Sequence, residues 1–408
     1  MKIAILNTGN ELLRGTTVNT NLSFIGRELA ALGEEPDCSI TVPDNPGDMR
    51  AALESLFSTH DLVIVTGGLG PTSDDLTREV VCELLGEPLR EDHSLRQMLE
   101  EYWNERHPDS AGPDFYFRQA LVPVNGAVLK NRNGTAPGLW IPGLYHGRSV
   151  FAALLPGPPT ELEPMVHDEL LPLLLAIHGE SICTDKFMLA DTPELAAQEF
   201  VEAALPAPLK VSYSASPEGT RVFISGTDPD KVYAATKQIK VHFGRAVVGA
   251  PHLGLAEELL DLLTAARCKL ATAESCTGGL IGASFTDQAG ASAVYEGGVI
   301  SYSNEVKVRE LGVSGKLLEQ HGAVSPECAR AMVEGACRRF NTEAGIAATG
   351  IAGPSGGTPD KPVGLVYIAA TLNGRTEVRQ LRLRGSREQI RRRTVAKAMN
   401  LLRELLIG

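Results

Sequence analysis

A serine at the end of an apolar run has the surroundings of a nucleophile. Ser275 lies in the segment TAESCTGG, where a predicted strand ends and a helix is predicted over 276–287. Backbone amides of residues 276–278, at the positive end of that helix, are suited to hold an oxyanion. The segment ISYSNEVK supplies Lys307 as the base, a role that requires burial to lower its pKa.

Simpler interpretations compete with each of these assignments. Taken alone, Ser275 is better explained as the N-cap of the predicted helix. Cys276 is a rival nucleophile, but no His and Asn partners accompany it, and a small buried cysteine is usually inert. Tyr302 is either a strand residue with its hydroxyl at the rim or an aid to positioning.

A second loop of the same segment is rich in glycine. The stretch ATGIAGPSGGTPDKPVG, residues 348–364, begins at the end of a predicted strand. Its small and hydroxyl residues are Thr349, Gly350, Gly353, Ser355, Gly356 and Gly357. Such a loop either wraps a ligand or is a flexible connection, and its place at the carboxyl end of a strand favours the ligand.

Near the amino terminus, the loop TGGLGPTSDDLTRE follows another apolar strand. Gly67, Gly68 and Gly70 allow backbone amides to approach a phosphate or pyrophosphate, and a helix is predicted to begin near Asp74. The loop is neither a P-loop nor a dinucleotide-binding fingerprint. On the loop alone, metal or phosphate chemistry and simple first-turn carboxylates at Asp74 and Asp75 are equally good explanations.

Composition excludes several classes of protein. The chain has 408 residues, 43% hydrophobic and 22% charged, which excludes a disordered chain or a coiled coil. Its net charge of −12 argues against a protein that coats nucleic acid or an anionic membrane. The seven scattered cysteines, without a C-x-x-C, and the absence of an apolar run of about 18 residues predict a cytoplasmic protein.

Three segments are predicted to position these residues. Residues 1–168 and 253–408 alternate strands and helices, which indicates two α/β domains with parallel-rich sheets. Residues 169–252 follow a βαββαβ order, with RAVVG as the last strand, typical of a small α+β module. Ligands of parallel sheets bind at the carboxyl ends of strands, where the glycine-rich loops lie.

The loops of the first segment, with TGNE at 8–11, NRNGTAPG at 131–138 and LPGPPTE at 155–161, resemble the molybdopterin-binding-like domain of the CinA family. The resemblance implies an ADP-ribose pyrophosphatase that needs a divalent metal to neutralise the diphosphate and activate water. Glu11, Asp74 and Asp75 are the candidate metal ligands, without a separate role for each. The implied substrate-binding residues are Gly67, Gly68, Gly70, Thr72, Asn133 and Gly134.

The third segment, through AESCTGG, GGVISYSNEVK, GAVSPECA and TGIAGPSGGTPDKPVG, resembles the carboxy-terminal domain of the same family, the nicotinamide-nucleotide amidases. The resemblance implies hydrolysis of nicotinamide mononucleotide by a Ser275/Lys307 pair without a cofactor, with Tyr302 assisting. Thr349 and Arg391 would bind the ribose phosphate. Further implied substrate-binding residues are Thr277, Gly278, Gly279, Gly350 and Gly353. The middle segment resembles the KH-like linker of this family but lacks a GXXG loop.

The resulting expectation is a bifunctional salvage enzyme for nicotinamide mononucleotide and ADP-ribose, and the family resemblance implies a homodimer. Direct binding of nucleic acid or a membrane is not expected. One alternative is a binding or docking protein for a competence or repair partner, with a ligand-sensing amino-terminal pocket. The other assigns that pocket to molybdopterin, and binding of a pterin without turnover of ADP-ribose would decide for it.

Overall fold

The structure, a computed structural model, describes residues 1–178, 183–205 and 207–408. The chain divides into two units. One comprises Met1–Thr184 and Ser225–Asp228, and the other comprises Asp185–Ile224 and Pro229–Gly408. Each unit contains a sheet with a parallel portion and helices packed against it, which confirms the predicted α/β fold class.

The amino-terminal unit has a six-stranded mixed sheet. Its strands, in spatial order, are Pro36–Val42, Ile3–Thr8, Leu62–Thr66, Arg148–Leu155, Gly138–Tyr145 and Ala127–Leu129. The first four are parallel and the last two are antiparallel to their neighbours. Every residue of Ile3–Thr8 and Leu62–Thr66 is buried, as expected for parallel strands covered on both faces. Leu89–Glu91 and Leu121–Pro123 form a separate antiparallel pair.

The α-helices of this unit are Asn10–Leu13, Thr20–Ala31, Pro46–Phe57, Thr77–Leu85, His93–Arg106, Asp114–Phe117, Pro159–Met165 and Leu171–His178. Side-chain N-caps explain several starting points: Asn45, for example, accepts from the Gly47 and Asp48 amides ahead of a proline at the helix start. The helix after the glycine-rich loop begins at Thr77, not near Asp74 as predicted. Asp74 and Asp75 therefore precede that helix.

The small sheet after the amino-terminal unit has three strands rather than the predicted four. The strands are Lys210–Ser216, Gly219–Gly226 and Cys183–Ala190, with helices Glu194–Ala204 and Pro229–Phe243. The segment RAVVG was predicted as a last strand, and that prediction is wrong. Gly244–Ala246 is a 3-10 turn, and Val247 makes only an isolated bridge with Leu189. A KH-like identity for this segment stays a prediction.

The carboxy-terminal sheet has five strands, in spatial order Tyr295–Ile300, Leu270–Glu274, Ala344–Gly350, Leu365–Leu372 and Arg375–Arg382. The first three are parallel and the last two are antiparallel. The helices are Leu255–Ala266, Leu280–Thr286, Asn304–Leu311, Gly315–His321, Pro326–Phe340 and Arg387–Ile407. The predicted hairpin at Asn373-Gly374 has both residues at positive φ, and the predicted capping box of Ser386 and Gln389 is present.

Successive side chains along the strands of the carboxy-terminal sheet pack into two hydrophobic cores, one on each face of the sheet. Leu270 packs in a cluster with the helices Leu255–Ala266 and Arg387–Ile407, whereas Ala271 packs on the opposite face with the helix Pro326–Phe340. This period of two is the pattern expected of a sheet covered on both faces. None of the helices in the described part of the chain combines the length and apolar character needed to cross a membrane.

A buried charge pair joins the end of the middle segment to the core between the helices Leu255–Ala266 and Arg387–Ile407. Arg403 is 2% exposed and donates to the Glu258 carboxylate and to the Arg245 and Val247 carbonyls, each carbonyl at 2.6 Å. Glu258 also accepts from the Gly249 amide at 2.7 Å. The closing helix is thereby bonded directly to the end of the middle segment.

Candidate functional site

Ser275 follows the central strand of the carboxy-terminal sheet, which has a parallel neighbour on each side. Its amide donates to the Ala348 carbonyl at 2.9 Å, and the Ser301 amide donates to the Glu274 carbonyl at 2.7 Å. These two bonds join the ends of three parallel strands. Ser275 therefore lies at the carboxyl edge of the sheet, where such sheets bind ligands.

Lys307 reaches Ser275 from the helix Asn304–Leu311, which follows the neighbouring strand. Its Nζ lies 3.1 Å from Ser275 Oγ, 2.6 Å from the Ser301 carbonyl and 3.4 Å from the Tyr302 carbonyl. Ser303 fixes the start of this helix by accepting from the Val306 amide. A neutral amine has two hydrogens for the two carbonyls and one lone pair for the serine hydroxyl, so the geometry suits a general base.

Burial governs the protonation of this group. The Lys307 side chain is 1% exposed, and loss of solvation lowers its pKa. The two nearby thiols change in the opposite direction, because burial raises the pKa of Cys276 and of Cys328 to about 11. Both thiols are thus protonated near neutrality, which argues against Cys276 as the nucleophile.

The prediction that the helix begins directly after Ser275 is wrong, because a turn separates the two. The helix begins at Leu280, and the buried Glu274 carboxylate accepts from the amides of Gly279, Ile281 and Gly282 at 2.8–3.0 Å. The positive end of this short helix is therefore already bonded to a carboxylate.

Arg391, from the closing helix, contacts the same turn. Its Nε donates to the Cys276 carbonyl at 3.1 Å and its Nη2 to the Thr277 carbonyl at 2.6 Å. Thr277 is fully buried, and its hydroxyl lacks a hydrogen-bond partner among the described residues. Gly278 adopts a left-handed φ of +61°, which explains a glycine there.

The other predicted residues of this site surround the pair at varying distances. Tyr302 is 65% exposed, and its hydroxyl accepts from Arg387 Nη2 at 3.2 Å. Arg387 Nη1 also donates to the Gly353 carbonyl at 2.7 Å. The Thr349 hydroxyl is buried and donates to the Ala323 carbonyl at 2.7 Å. A Cβ at Gly350 would lie 2.6 Å from Val366 Cγ2, so close packing requires glycine.

A cavity of about 370 Å³ lies at the carboxyl ends of strands in the amino-terminal unit. Gly67, Gly68 and Gly70 line it, together with Glu11, Asp74 and Asp75, as predicted for one site. Gly67 is required because a Cβ at its φ of +97° would lie 2.6 Å from Thr8 Oγ1. The cavity also has Asp44 and Glu161 in its wall but no Lys, Arg or His among its lining residues.

The hydroxyl of Thr72 organises the two aspartates. Thr72 Oγ1 lies 2.5 Å from Asp74 Oδ1 and 2.6 Å from Asp75 Oδ2, and the Thr72 amide donates to Asp75 Oδ2 at 3.0 Å. The hydrogen bond from Thr72 lowers the pKa of Asp74. Thr72 itself is not a lining residue of the cavity, so its observed role is to orient the carboxylates.

Asn133 and Gly134 lie beside the cavity and are not among its lining residues. The Asn133 side-chain amide donates to the Thr160 carbonyl at 2.8 Å, which fixes this loop to the segment that carries Glu161. Glu161 accepts from the Asn131 side chain at 2.6 Å. Gly134 packs directly against the Glu161 carboxylate and leaves no room for a Cβ.

Carboxylate oxygens are the ligands that Mg²⁺ and similar cations prefer. Among residues 1–178, 183–205 and 207–408, however, no group of three His, Cys, Asp or Glu side chains is arranged to hold a metal ion. Mg²⁺ is usually bound through one or two carboxylates together with water and substrate phosphates. The carboxylates of the cavity therefore fit a cation that takes its remaining ligands from water or a bound substrate.

Several residues that shape these sites are not among the predicted site residues. Glu274 is a lone acid at the end of an apolar strand, a position that signals a special role for a carboxylate. Arg387 lies one residue inside a recognisable capping box. Asp44 and Glu161 are distant from the glycine-rich loop in sequence, so only the fold brings them to the cavity.

Comparisons with known proteins match both halves of the chain. The profile of the CinA C-terminal domain matches residues 252–406, and that of a probable molybdopterin binding domain matches residues 4–176. A CinA-like protein from Dictyoglomus thermophilum is 36% identical over 416 residues, which cover 100% of both chains. A putative competence-damage inducible protein from Clostridium botulinum is 37% identical over 418 residues, again 100% of both.

Among solved structures, the competence/damage inducible protein CihA from Agrobacterium tumefaciens is 40% identical to this chain. The match covers 38% of this chain and 94% of that protein, with a TM-score of 0.37.

Proposed function

The chain belongs to the CinA family, and from this premise we propose that its carboxy-terminal domain hydrolyses the carboxamide of nicotinamide mononucleotide to nicotinate mononucleotide and ammonia. The observation that carries the proposal is the buried contact of 3.1 Å between Lys307 Nζ and Ser275 Oγ. A lysine with a lowered pKa next to a serine is the arrangement that serine–lysine acyl transfer requires.

The steps follow from the partners of each atom. Ser275 Oγ attacks the carboxamide carbon while its proton passes to Lys307 Nζ, and a tetrahedral oxyanion forms. Collapse breaks the C–N bond, and Lys307 returns the proton to the departing ammonia. Lys307 then takes a proton from water as that water attacks the acyl-serine, and it returns this proton to Ser275 Oγ as the nicotinate product leaves. The Ser301 and Tyr302 carbonyls hold the amine in place throughout.

Ammonia release from nicotinamide mononucleotide tests this proposal. Ser275→Ala should reduce kcat on the order of 10⁶-fold and Lys307→Met on the order of 10⁴-fold. Ser284→Ala is the matched serine control, because that hydroxyl donates only to the Leu280 carbonyl within its own helix. Full turnover by both site variants would refute the catalytic pair. No turnover by folded wild type would favour a binding or docking protein.

We propose a second activity for the amino-terminal cavity, the metal-dependent hydrolysis of the diphosphate of ADP-ribose. Its five carboxylates and lack of cationic lining residues support binding of a diphosphate only together with a divalent cation. Glu11, Asp74 and Asp75 are the proposed ligands. The metal would neutralise the diphosphate and activate water, while Thr72 orients the two aspartates through its hydroxyl.

Calorimetry and product analysis test this second site. We expect ADP-ribose to bind wild type with Mg²⁺ and to bind far more weakly in EDTA, and Asp75→Asn to weaken binding of Mg²⁺. Asp109→Asn, on an exposed segment of the same unit, is the control. Equal binding with and without Mg²⁺ would contradict the proposal. Binding of a pterin, without cleavage of ADP-ribose, would assign the pocket to molybdopterin.

A further inference from the structure

The peptide groups Cys276–Thr277 and Thr277–Gly278, close after Ser275, both accept hydrogen bonds from the Arg391 guanidinium through their carbonyls. From this contact we infer that Arg391 is a positioning residue that orients the amides of Thr277 and Gly278 as the oxyanion hole for attack by Ser275. The inference rests on the proposed amidase function and deepens it, because it assigns the groups that stabilise the tetrahedral intermediate.

The directions of the amides follow from peptide geometry. Arg391 Nε binds the Cys276 carbonyl and Nη2 binds the Thr277 carbonyl. In a planar trans peptide, the N–H points opposite to the carbonyl of the same unit. The N–H groups of Thr277 and Gly278 therefore both point away from the guanidinium. The left-handed φ of Gly278 is typical of a backbone nest that binds anions.

These two amides have no acceptor in the described ranges of the chain, either from backbone or from side chains. The amides of the following helix differ, because those of Gly279, Ile281 and Gly282 already donate to Glu274. The donors available to an oxyanion at this turn therefore include the two amides that Arg391 orients and exclude those of the helix end.

The side chain of Thr277 is a second, independent observation at the same turn. It is 0% exposed, and its hydroxyl has no partner in the part of the chain that the structure describes. Buried hydroxyls are normally hydrogen-bonded, and an orphan of this kind next to a reactive group points to an acceptor that the protein does not supply. The turn thus adds this hydroxyl to the two amides that Arg391 orients.

This role differs from the one that the family resemblance implies, in which Arg391 binds the ribose phosphate. A residue that binds the phosphate contributes to binding of the substrate. Its replacement therefore raises KM for the phosphorylated substrate and leaves the kinetics of a substrate without a phosphate unchanged. A residue that orients an oxyanion hole acts on the transition state, so its loss lowers kcat for both kinds of substrate.

The experiment compares nicotinamide mononucleotide with nicotinamide riboside for Arg391→Ala and Arg391→Lys. We expect kcat to fall about 10²-fold or more for Arg391→Ala on both substrates, as when an oxyanion donor is lost. Arg391→Lys should fall between wild type and Arg391→Ala, because an ammonium cannot fork across two carbonyls. Arg392→Ala is the control: its side chain is exposed and pairs with Glu388 on the same helix. A loss confined to KM of the phosphorylated substrate would overturn the inference.

Labelling of Ser275 by a fluorophosphonate separates this inference from the choice of substrate. The Oγ–P bond forms as the P–F bond breaks, fluoride leaves and Lys307 accepts the proton, so no carboxamide is needed. Intact-mass measurements should show slower labelling of Arg391→Ala than of wild type and Arg392→Ala. Slower labelling without any turnover of nicotinamide mononucleotide would retain the inference and reject the substrate. Equal labelling and equal turnover would reject the inference alone.

Arg391→Lys keeps the test valid if Arg391→Ala does not fold, since it retains the charge and most of the apolar stem. Circular dichroism and the melting temperature of each variant identify that case. A folded Arg391→Lys with wild-type kcat and wild-type labelling would overturn the inference.

Discussion

Replacing Lys307 by methionine removes a buried titrating group, and its effect on stability depends on pH in a calculable way. Burial lowers the pKa of Lys307 below its ordinary value of 10.5, which it regains in the unfolded chain. Between the two pKa values the unfolded chain holds one more proton than the folded chain. The free energy of unfolding of wild type therefore rises with pH through this window and falls as pH drops towards the folded-state pKa.

The magnitude follows from one proton. A difference of one bound proton corresponds to about 1.4 kcal/mol per pH unit. The free energy of unfolding of wild type minus that of Lys307→Met should therefore change with pH at close to this slope inside the window. Loss of the Nζ hydrogen bonds to the Ser301 and Tyr302 carbonyls adds an offset that does not depend on pH. Cys276 and Cys328 titrate in both proteins, so their contributions largely cancel in the difference.

The assay must report on the carboxy-terminal sheet. Both tryptophans, Trp103 and Trp140, belong to the amino-terminal unit, so their fluorescence does not. Pulse alkylation of the fully buried Cys328 during urea unfolding, read by mass spectrometry, reports on unfolding of the carboxy-terminal domain. A difference in unfolding free energy that stays constant from about pH 6 to about pH 10 would refute the lowered pKa. For the proposed amidase reaction, kcat/KM should rise with pH through the same titration of Lys307.

Three further substitutions have defined outcomes. Glu274→Ala leaves three amides without their carboxylate acceptor and should lower the free energy of unfolding by about 3 kcal/mol, measured by the same alkylation; a change below about 1 kcal/mol would contradict it. Cys276→Ala should keep most of the turnover of nicotinamide mononucleotide, because the thiol with a pKa of about 11 is protonated; complete loss would reinstate the thiol as nucleophile. Glu258→Gln leaves the buried charge of Arg403 unpaired and should cost about 3–5 kcal/mol, whereas Glu258→Met with Arg403→Met should cost less. Melting temperatures of the single and double variants decide this last case.

Local pattern and family motifs predicted most of the fold. Alternation of apolar strands and amphipathic helices predicted both main sheets, and the Asn373-Gly374 turn and the capping box of Ser386 were correct in detail. The errors lie where tertiary contacts decide. RAVVG has the composition of a strand, but it makes only one bridge because Arg403 takes the carbonyls of Arg245 and Val247.

The candidate sites were predictable to a similar extent. Ser275 and Lys307 were placed together because each follows a neighbouring strand and the carboxyl ends of parallel strands share one edge. The start of the following helix at Leu280 was not predictable, because the sequence TGGLIG gives no sign that the Glu274 carboxylate accepts from the first helical amides. Nor does a basic stretch within a helix show that Arg391 contacts carbonyls while Arg392 is exposed.

The hydrogen bonds of Arg403 also bear on where the protein chain can be divided into fragments. A polypeptide that starts at residue 252 retains Glu258 and Arg403 but not the carbonyls of Arg245 and Val247, so Arg403 loses two of its acceptors. A polypeptide that starts at residue 185 retains all of them. We therefore expect the polypeptide that starts at residue 185 to resist unfolding better than the one that starts at residue 252, because only the first keeps every acceptor of Arg403.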